Sequence, residues 1–330
     1  MSGSRTPLLI DCDTGIDDAL ALLYACASPE AEIVGVSCVA GNVELPHVVR
    51  NTLAVMELAG RGDLEVAAGR DAPIARPLRI AADTHGPTGL GYAELPAPER
   101  VPGPRDAAEM IVAEARARPG ELTLVTLGPL SNVAVALERE PELPRLLARL
   151  VMMVGAYRSP GNTAPTMEWN AGVDPEALAA TIAGWRSAGA ARPIVFGLDV
   201  TERAKMTPDH LERLALAAGD RDDPIVRFLG DALRFYFEFH SRYDGFYGAF
   251  VHDPLVVAAA LDPTLARTEA LAVEIELEGR WTSGETVTDW RRHWGREPDL
   301  DIAVEADSGA FFERFSDRVG RLAQERRAEG

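Results

Sequence analysis

Short apolar runs alternate along the chain with segments in which apolar residues recur every three or four positions. Residues 8–10 form the first apolar run, four acids follow within residues 11–18, and an apolar helical pattern begins at residue 16. The same order recurs up to residue 200, and such alternation is typical of parallel strands joined by crossover helices. The pattern predicts an α/β protein with a mostly parallel central sheet and helices on both faces. Further strands are predicted at residues 31–39, 65–68, 122–127, 150–154 and 193–200, and helices at residues 46–60, 104–118, 131–140 and 174–187.

The pattern changes in the second half of the chain. Residues 222–243 form a long amphipathic segment rich in phenylalanine and tyrosine, and residues 308–327 predict a terminal helix. Residues 268–277 and 281–290 read as two strands of an antiparallel hairpin across a Glu-Gly-Arg turn. The chain has no internal repeat and no low-complexity linker. We therefore predict one domain over residues 1–330, with a C-terminal helical and β-hairpin appendage.

Composition narrows the range of partners. The formal net charge is −18, from 51 acidic and 33 basic residues, which argues against nucleic acid or an anionic membrane as a partner. Residues 1–7 form a short polar lead, and no apolar run approaches the length of a membrane span. Three cysteines, an odd number, are crowded before residue 40, a pattern typical of reduced thiols. The expectation is a cytoplasmic protein.

The densest group of acids directly follows the first predicted strand, where residues 11–18 read DCDTGIDD. Acids at a helix start are often only caps, which would account for Asp17 or Asp18. Capping does not account for Asp11 and Asp13, because both lie at the end of a buried strand. Four carboxylates so close together repel one another unless a cation lies among them. Oxygen ligands suit a hard divalent cation, Ca²⁺ or Mg²⁺.

One alternative function comes from the Asp-Thr-Gly at residues 13–15, which is similar to the phosphatase loop of the haloacid dehalogenase class. In that class a strand-end Asp is the nucleophile, and a later lysine binds the phosphate. Lys205 is the only lysine of this chain and lies in a polar stretch without strand-end context. The phosphatase hypothesis therefore stays a secondary one.

A more extensive resemblance covers nearly the whole chain. Residues 11–19, DCDTGIDDA, closely resemble the signature of the inosine-uridine-preferring nucleoside hydrolases. Further matching stretches follow in the family's order: GNV at 41–43, HGPTGLG at 85–91, LGPLSN at 127–132, MVGA at 153–156, Asn162, EWN at 168–170, DPE at 174–176 and HDP at 252–254. The resemblance implies the Rossmann-like nucleoside hydrolase fold and hydrolysis of the N-glycosidic bond of ribonucleosides to free base and ribose. It also implies Ca²⁺ as cofactor, a role in nucleoside salvage, and a homodimer or homotetramer.

The resemblance also assigns roles to residues. Asp13 aligns with the catalytic base that activates a Ca²⁺-bound water, and Asp11 with a carboxylate that orients its neighbours. The implied metal ligands are Asp13, Asp18, Asp253 and the backbone carbonyl of Leu127. The implied substrate contacts are Asp17, Asn162, Glu168 and Asn170 to ribose hydroxyls, with Asn42 as a supporting contact.

General chemistry agrees with these roles. Cleavage of an N-glycosidic bond passes through an oxocarbenium-like ribosyl cation, which carboxylates stabilise. A metal lowers the pKa of a bound water, and a carboxylate can then accept its proton. A net-acidic pocket favours a neutral nucleoside over a nucleotide.

Several residues keep two interpretations. For His252 we favour contact with the leaving base, or its protonation, over a buried histidine at a helix start. His85 is either a base contact or a turn residue, and Met153 is chosen for the pocket over the core. Trp169 is expected to pack in the interior, and which of Tyr236, Tyr243 and Tyr247 faces the base is left open.

A second alternative comes from another class of protein. A nucleoside- or ribose-binding protein would keep the sugar contacts and lose catalysis. Asp13, Asp18 and Asp253 speak against this hypothesis, since a binding protein has no need of the catalytic base.

Overall fold

The first strand, β1 (Thr6–Cys12), lies inside the central sheet and is covered on both faces. Leu8, Ile10 and Cys12 pack in the hydrophobic cluster on one side, whereas Leu9 packs in the cluster on the other. Side chains of a strand alternate between faces, so a strand buried on both sides reads as one continuous apolar run. The computed structural model describes residues 5–329, so residues 1–4 of the predicted polar lead lie outside it.

Twelve strands occur between residues 5 and 329. After β1 they are β2 (Ala31–Cys38), β3 (Val66–Ala68), β4 (Thr123–Thr126), β5 (Arg149–Met153), β6 (Ile194–Phe196), β7 (Lys205–Met206), β8 (Ala249–Phe250), β9 (Ala266–Leu271), β10 (Val273–Ile275), β11 (Thr286–Thr288) and β12 (Leu300–Ala306).

The helices in this range pack on both faces of the sheet. They are α1 (Ile16–Cys26), α2 (Leu45–Leu58), α3 (Ala82–His85), α4 (Ala107–Ala117), α5 (Ser131–Arg139), α6 (Leu143–Leu146), α7 (Trp169–Val173), α8 (Pro175–Ala188), α9 (Leu198–Thr201), α10 (Pro208–Ala218), α11 (Pro224–Tyr243), α12 (His252–Leu261) and α13 (Ser308–Glu329), with a 3₁₀ turn at Pro263–Leu265.

Eight strands form the main sheet in the order β3-β2-β1-β4-β5-β6-β12-β9. All neighbours are parallel except β9, which runs antiparallel to β12. The chain proceeds outward from β1 to β3 and then returns to the other side of β1 as β4. This reversal opens a crevice at the carboxyl ends of β1 and β4, where sheets of this kind bind ligands. The predicted α/β fold with a mostly parallel sheet is confirmed.

The predicted appendage needs correction. The hairpin is confined to β10 and β11, which pair antiparallel, while β9 extends the main sheet. The sequence pattern missed β12, because its solvent-facing acids interrupt the apolar run: it reads LDIAVEA. The strand predicted at residues 193–200 ends at Phe196, and α9 follows. Gly197 lies at this change from strand to helix. A Cβ there would lie only 2.7 Å from the Tyr157 ring, so the position has no room for a side chain.

No helix within residues 5–329 combines the length and the hydrophobicity that crossing a membrane requires.

The terminal helix α13 packs against α1 and α10. Phe311 and Phe315 each place their ring centroid 6.0 Å from that of Tyr24. Farther along the helix, Gly320 allows close approach to α10, because a Cβ built on it would lie 2.5 Å from the Cβ of Ala217. The same helix has a glycine in open surroundings, Gly309, whose added Cβ would meet its nearest atom at 3.5 Å.

Substitution of these two glycines by alanine should change the stability differently. Gly320→Ala should lower the free energy of unfolding by about 1–3 kcal/mol, because overpacking forces the helices apart. Gly309→Ala should leave it unchanged or raise it by up to about 1 kcal/mol, because alanine favours the helix. Urea denaturation of both variants tests this expectation, and equal shifts in the same direction would contradict the packing described for α10 and α13.

Candidate active site

The loop after β1 is held by hydrogen bonds to its own acids. Asp18 Oδ2 accepts from the Gly15 N–H at 2.9 Å, and its Oδ1 accepts from the Asp13 N–H at 3.2 Å. Asp18 therefore does cap α1. Gly15 is required at this point, since a Cβ there would lie 2.6 Å from His85 Nδ1.

Asp13 is buried at the carboxyl end of β1. One of its carboxylate oxygens accepts a hydrogen bond, and the other accepts none from the described residues. The Asn42 N–H donates to Asp13 Oδ2 at 2.7 Å, and Asn42 Nδ2 donates to Asp18 Oδ2 at 3.0 Å. Gly41 permits this approach, because a Cβ there would lie 2.1 Å from Asp13 Oδ2. Asp13 Oδ1 is buried and has no hydrogen-bond partner among the described residues. Buried polar atoms normally find a partner, so this oxygen is suited to a ligand.

Asp11 lies behind these acids, within β1. Its Oδ1 accepts hydrogen bonds from Ser37 Oγ at 2.5 Å and from Asn132 Nδ2 at 2.8 Å. Burial raises the pKa of Asp11 to about 7, and the two hydrogen bonds oppose the rise. This position is consistent with its predicted supporting role.

Carboxylates from the two halves of the chain meet beside Asp13. Oxygen atoms of Asp17, Asp18 and Asp253 all lie within 4.8 Å of one another. Burial raises the pKa of Asp253, and the charges of Asp17 and Asp18 raise it further. Burial also raises the pKa of Asp18, to about 6. Three buried carboxylates at this spacing stay ionised most readily around a cation.

The ends of β4 and β5 supply the opposite wall. Asn170 Nδ2 donates to the Leu127 carbonyl at 2.7 Å and to the Met153 carbonyl at 3.0 Å. Glu168 caps α7, because its carboxylate accepts from the backbone N–H groups of Gly155, Asn170 and Ala171. Burial raises the pKa of Glu168 and these three bonds oppose the rise.

Two buried histidines have defined tautomers. The Ile16 N–H donates to His85 Nδ1 at 3.1 Å, so a neutral His85 carries its proton on Nε2. His252 Nδ1 lies 2.8 Å from Thr201 Oγ1, whose hydroxyl in turn donates to the Gly197 carbonyl. His252 therefore carries its proton on Nδ1 and leaves Nε2 as an acceptor. Burial lowers the pKa of each ring to about 3.

One cavity of about 630 Å³ unites these groups. Asp13 and Asp18 are buried beside it. The predicted site residues that line it are Asp17, Asn42, His85, Leu127, Met153, Asn162, Glu168, Asn170, His252 and Asp253. The structure thus brings the predicted site together, although the individual roles stay predictions.

The cavity lining bears on several of the open interpretations. Tyr236 and Tyr243 line it, whereas Tyr247 is not among its lining residues and is half exposed. Trp169, expected only to pack, lies on its wall. Lys205, which the phosphatase hypothesis requires, is also absent from the lining, and its ammonium group lies 4.9 Å from the centroid of the Phe246 ring.

Seven polar side chains on this wall were not predicted from the sequence: Arg79, Asp83, Thr84, Thr163, Glu202, His240 and Asp244. The spacing of Tyr236 and His240, four residues apart on an amphipathic helix, placed both on one face and could have indicated His240. Nothing in the local sequence pointed to Glu202.

The donor set fits Ca²⁺. It consists of oxygen atoms alone, as hard cations prefer. Asp17, Asp18 and Asp253 offer closely spaced carboxylates, and Asp13 Oδ1 is a buried oxygen without a partner. The Leu127 carbonyl already accepts one hydrogen bond and retains a second lone pair. In this arrangement Asp17, predicted to contact the sugar, lies within the carboxylate group as well.

Comparisons with known proteins agree on one family. Residues 8–313 match the family described as inosine-uridine preferring nucleoside hydrolase. The chain is 37% identical to the pyrimidine-specific ribonucleoside hydrolase RihA of Citrobacter koseri, over 96% of this chain and 99% of the relative. Its structure is similar to that of a purine-preferring ribonucleoside hydrolase from Gardnerella vaginalis, with a TM-score of 0.89 and 31% identity over 97% of this chain and 100% of that one. A plant nucleoside hydrolase, PpNRh1, gives a TM-score of 0.86 at 31% identity, over 96% of this chain and 99% of the other.

The carboxylate group predicts an unusual response to one substitution. With a chelator present, Asp253→Asn should raise the free energy of unfolding by about 1 kcal/mol, because it removes one of the mutually repelling charges. Wild-type protein should gain about 3 kcal/mol from Ca²⁺ at a hundredfold excess over Kd, whereas this variant should gain far less.

Thermal and urea unfolding with and without Ca²⁺ measure both effects. The exposed Asp71 provides the matched control: Asp71→Asn should respond to Ca²⁺ as the wild type does. An Asp253→Asn protein that gained the full Ca²⁺ stabilisation would contradict this arrangement.

Proposed function

Because the chain belongs to the inosine-uridine preferring nucleoside hydrolase family, we propose that it cleaves ribonucleosides in the cavity described above, with uridine and cytidine among its substrates. The chain is a nucleoside N-ribohydrolase. The base preference, the cation and the residue roles below are the proposal.

One observation carries the proposed site: buried carboxylates from both halves of the chain meet beside a cavity at the reversal of the sheet. Asp17 and Asp18 follow β1, and Asp253 lies in the first turn of α12 more than two hundred residues later. Negative charge at this density is suited to a transition state in which positive charge develops on the ribose ring. A carboxylate at fixed position stabilises that charge without reorganisation.

Asp13 is the proposed general base. Its Oδ2 is fixed by the Asn42 N–H, while Oδ1 is free to accept a proton from a water that attacks the anomeric carbon. General bases must hold one oxygen toward the proton that they accept, and the hydrogen bond to Asn42 keeps the carboxylate from rotating. Attack opposite the departing base would invert the anomeric carbon.

Asp13, Asp18, Asp253 and the Leu127 carbonyl are the proposed Ca²⁺ ligands, with Asp17 beside them. When bound, Ca²⁺ would lower the pKa of a water at the site.

The opposite wall is suited to the sugar. Asn162, Glu168 and Asn170 line the cavity, and Glu168 and Asn170 are held rigidly by their hydrogen bonds to the backbone. We assign these three residues, with Asp17, to the ribose hydroxyls, and Asn42 to support of Asp13 and Asp18. Pre-positioned contacts of this kind lower the entropy that the substrate loses on reaching the transition state.

Support for a pyrimidine base comes from the relatives. The RihA proteins at 36–37% identity carry a pyrimidine-specific name, whereas the Gardnerella vaginalis enzyme at 31% is named purine-preferring. His85 and His252 border the cavity, and we assign them to the leaving base. A homodimer or homotetramer, a cytoplasmic location and a role in nucleoside salvage stay predictions.

The decisive assay incubates purified protein with uridine, cytidine, inosine and adenosine and quantifies released ribose. Turnover should be lost with a chelator and restored by Ca²⁺. Asp13→Asn should lower kcat by about 10³-fold, in the range expected for loss of a general base, and should unfold cooperatively, while Asp71→Asn should keep wild-type rates. No ribose from any of the four nucleosides would refute the proposed substrates, and near-normal rates in Asp13→Asn would refute its role.

A further inference from the structure

The end of the cavity away from the carboxylate group is also acidic. Glu202 follows α9 and is half-buried on the cavity wall, and Asp244 follows α11 on the same wall. Asp244 Oδ2 bonds to His240 Nδ1 at 2.7 Å, and its other oxygen makes no hydrogen bond to a described residue. Glu202 likewise has no side-chain partner within residues 5–329. Both acids thus keep acceptors available to a ligand.

His240, which is bonded to Asp244, adds a polar atom without a partner to this end of the cavity. The ring is buried, lines the cavity, and has no hydrogen-bond partner for Nε2 within the described residues. Burial lowers its pKa, and Asp244 opposes that shift, so the neutral ring leaves the Asp244 charge uncancelled at neutral pH. Aromatic side chains enclose the histidine, with the ring centroid of Phe250 at 4.9 Å.

Tyr236 links this end to the carboxylate group. Its ring centroid lies 5.5 Å from that of His85 on one side and 4.7 Å from that of His240 on the other. Burial raises the pKa of the Tyr236 hydroxyl, and the charges of Asp17, Asp253 and, more weakly, Asp244 raise it further. Tyr236 therefore lies between the two acidic ends. A ribose held at the carboxylate group would direct its base past Tyr236, with the far edge of the base toward Glu202 and Asp244.

We propose that Glu202 and Asp244 form an amino-recognition pair that favours ribonucleosides with an exocyclic amino group on the far edge of the base. This inference rests on the proposed function. Cytosine and adenine present N–H donors at that edge, which carboxylates accept, whereas uracil and hypoxanthine present a carbonyl oxygen, which carboxylates repel. Glu202 contacts the base directly, and Asp244 acts both on the base and by holding His240.

The pair also imposes a pH dependence. Burial raises the pKa of Glu202 to about 7, the charges of Asp244 and Asp199 add to this, and Lys205 opposes it. Above that pKa the carboxylate accepts from an amino group. Below it the protonated Glu202 donates a hydrogen bond to a carbonyl oxygen instead. The preference for amino over oxo bases should therefore increase as the pH rises through about 7.

The experiment compares two matched substrate pairs, cytidine with uridine and adenosine with inosine. Within each pair, the kcat/KM of the nucleoside with the amino group is divided by that of the nucleoside with the carbonyl group to give an amino-to-oxo ratio. Damage to the fold lowers both values alike and leaves this ratio unchanged. Intrinsic reactivity of the bases cancels when a variant is compared with the wild type. Glu202→Gln should lower the ratio by about tenfold to a hundredfold, the range for a hydrogen bond to a charged group. Asp244→Asn keeps an acceptor for His240 and should lower the ratio less.

Two further measurements separate recognition from general effects. Asp83→Asn removes an exposed charge from the same cavity at α3 and should leave the ratio unchanged. From about pH 6 to about pH 8 the wild-type ratio should rise, while the Glu202→Gln ratio should stay flat, since the titrating group has been removed. An unchanged ratio in Glu202→Gln, or the same pH profile in both proteins, would overturn this inference alone. A wild type that hydrolyses none of the four nucleosides would refute the proposed function itself.

Discussion

The repulsion among buried carboxylates is the constraint on which the rest of this structure depends. Asp13, Asp17, Asp18 and Asp253 are buried with no positive side chain paired to any of them within the described residues. Such a group is costly to assemble, because burial and mutual repulsion both favour the neutral forms. The surrounding backbone offsets part of that cost through the N–H groups of Asp13, Gly15 and Asn42. The divalent cation proposed for this site would supply the remainder, because it would neutralise the charges that repel one another.

The sheet topology explains why these acids can meet. β1 and β4 are neighbours at the reversal of strand order, and their carboxyl ends diverge into the crevice in which the loops carrying Asp13 and Leu127 face each other. α12 then delivers Asp253 from the second half of the chain, with α1 packed beside it. Close approach requires small residues at the contacts: Gly41 lies against Asp13 and Gly15 against His85. A rigid arrangement of this kind lets a catalytic base be held by the backbone and not by a mobile side chain.

Different parts of the cavity are lined by different types of side chain. Tyr236 packs against His85 on one side and against His240, the partner of Asp244, on the other, so it lies between the carboxylate group and the proposed amino-recognition pair. His85 presents a donor and His252 an acceptor, because each ring is fixed by a bond to its Nδ1. Under the proposals above, the substrate is oriented because its ribose, cationic in the transition state, lies at the carboxylate group, while the far edge of its base lies at the amino-recognition pair. Under the proposed function, specificity and catalysis thus fall to separate groups of residues in one cavity.

The sequence by itself determined the alternation of strands and helices up to residue 188, since each buried strand reads as an apolar run and each helix shows its own period. It also determined the site as a set of residues, because Asp13, Asp18, Glu168 and Asp253 occur in stretches whose resemblance covers nearly the whole chain. The places of the edge strand β9 and of its neighbour β12 were decided by tertiary structure, since these partly exposed strands carry acids that break the apolar pattern. Tertiary structure alone also placed Glu202 beside Asp244. These residues are about forty positions apart in the chain, and only the folded structure brings both onto the wall of one cavity.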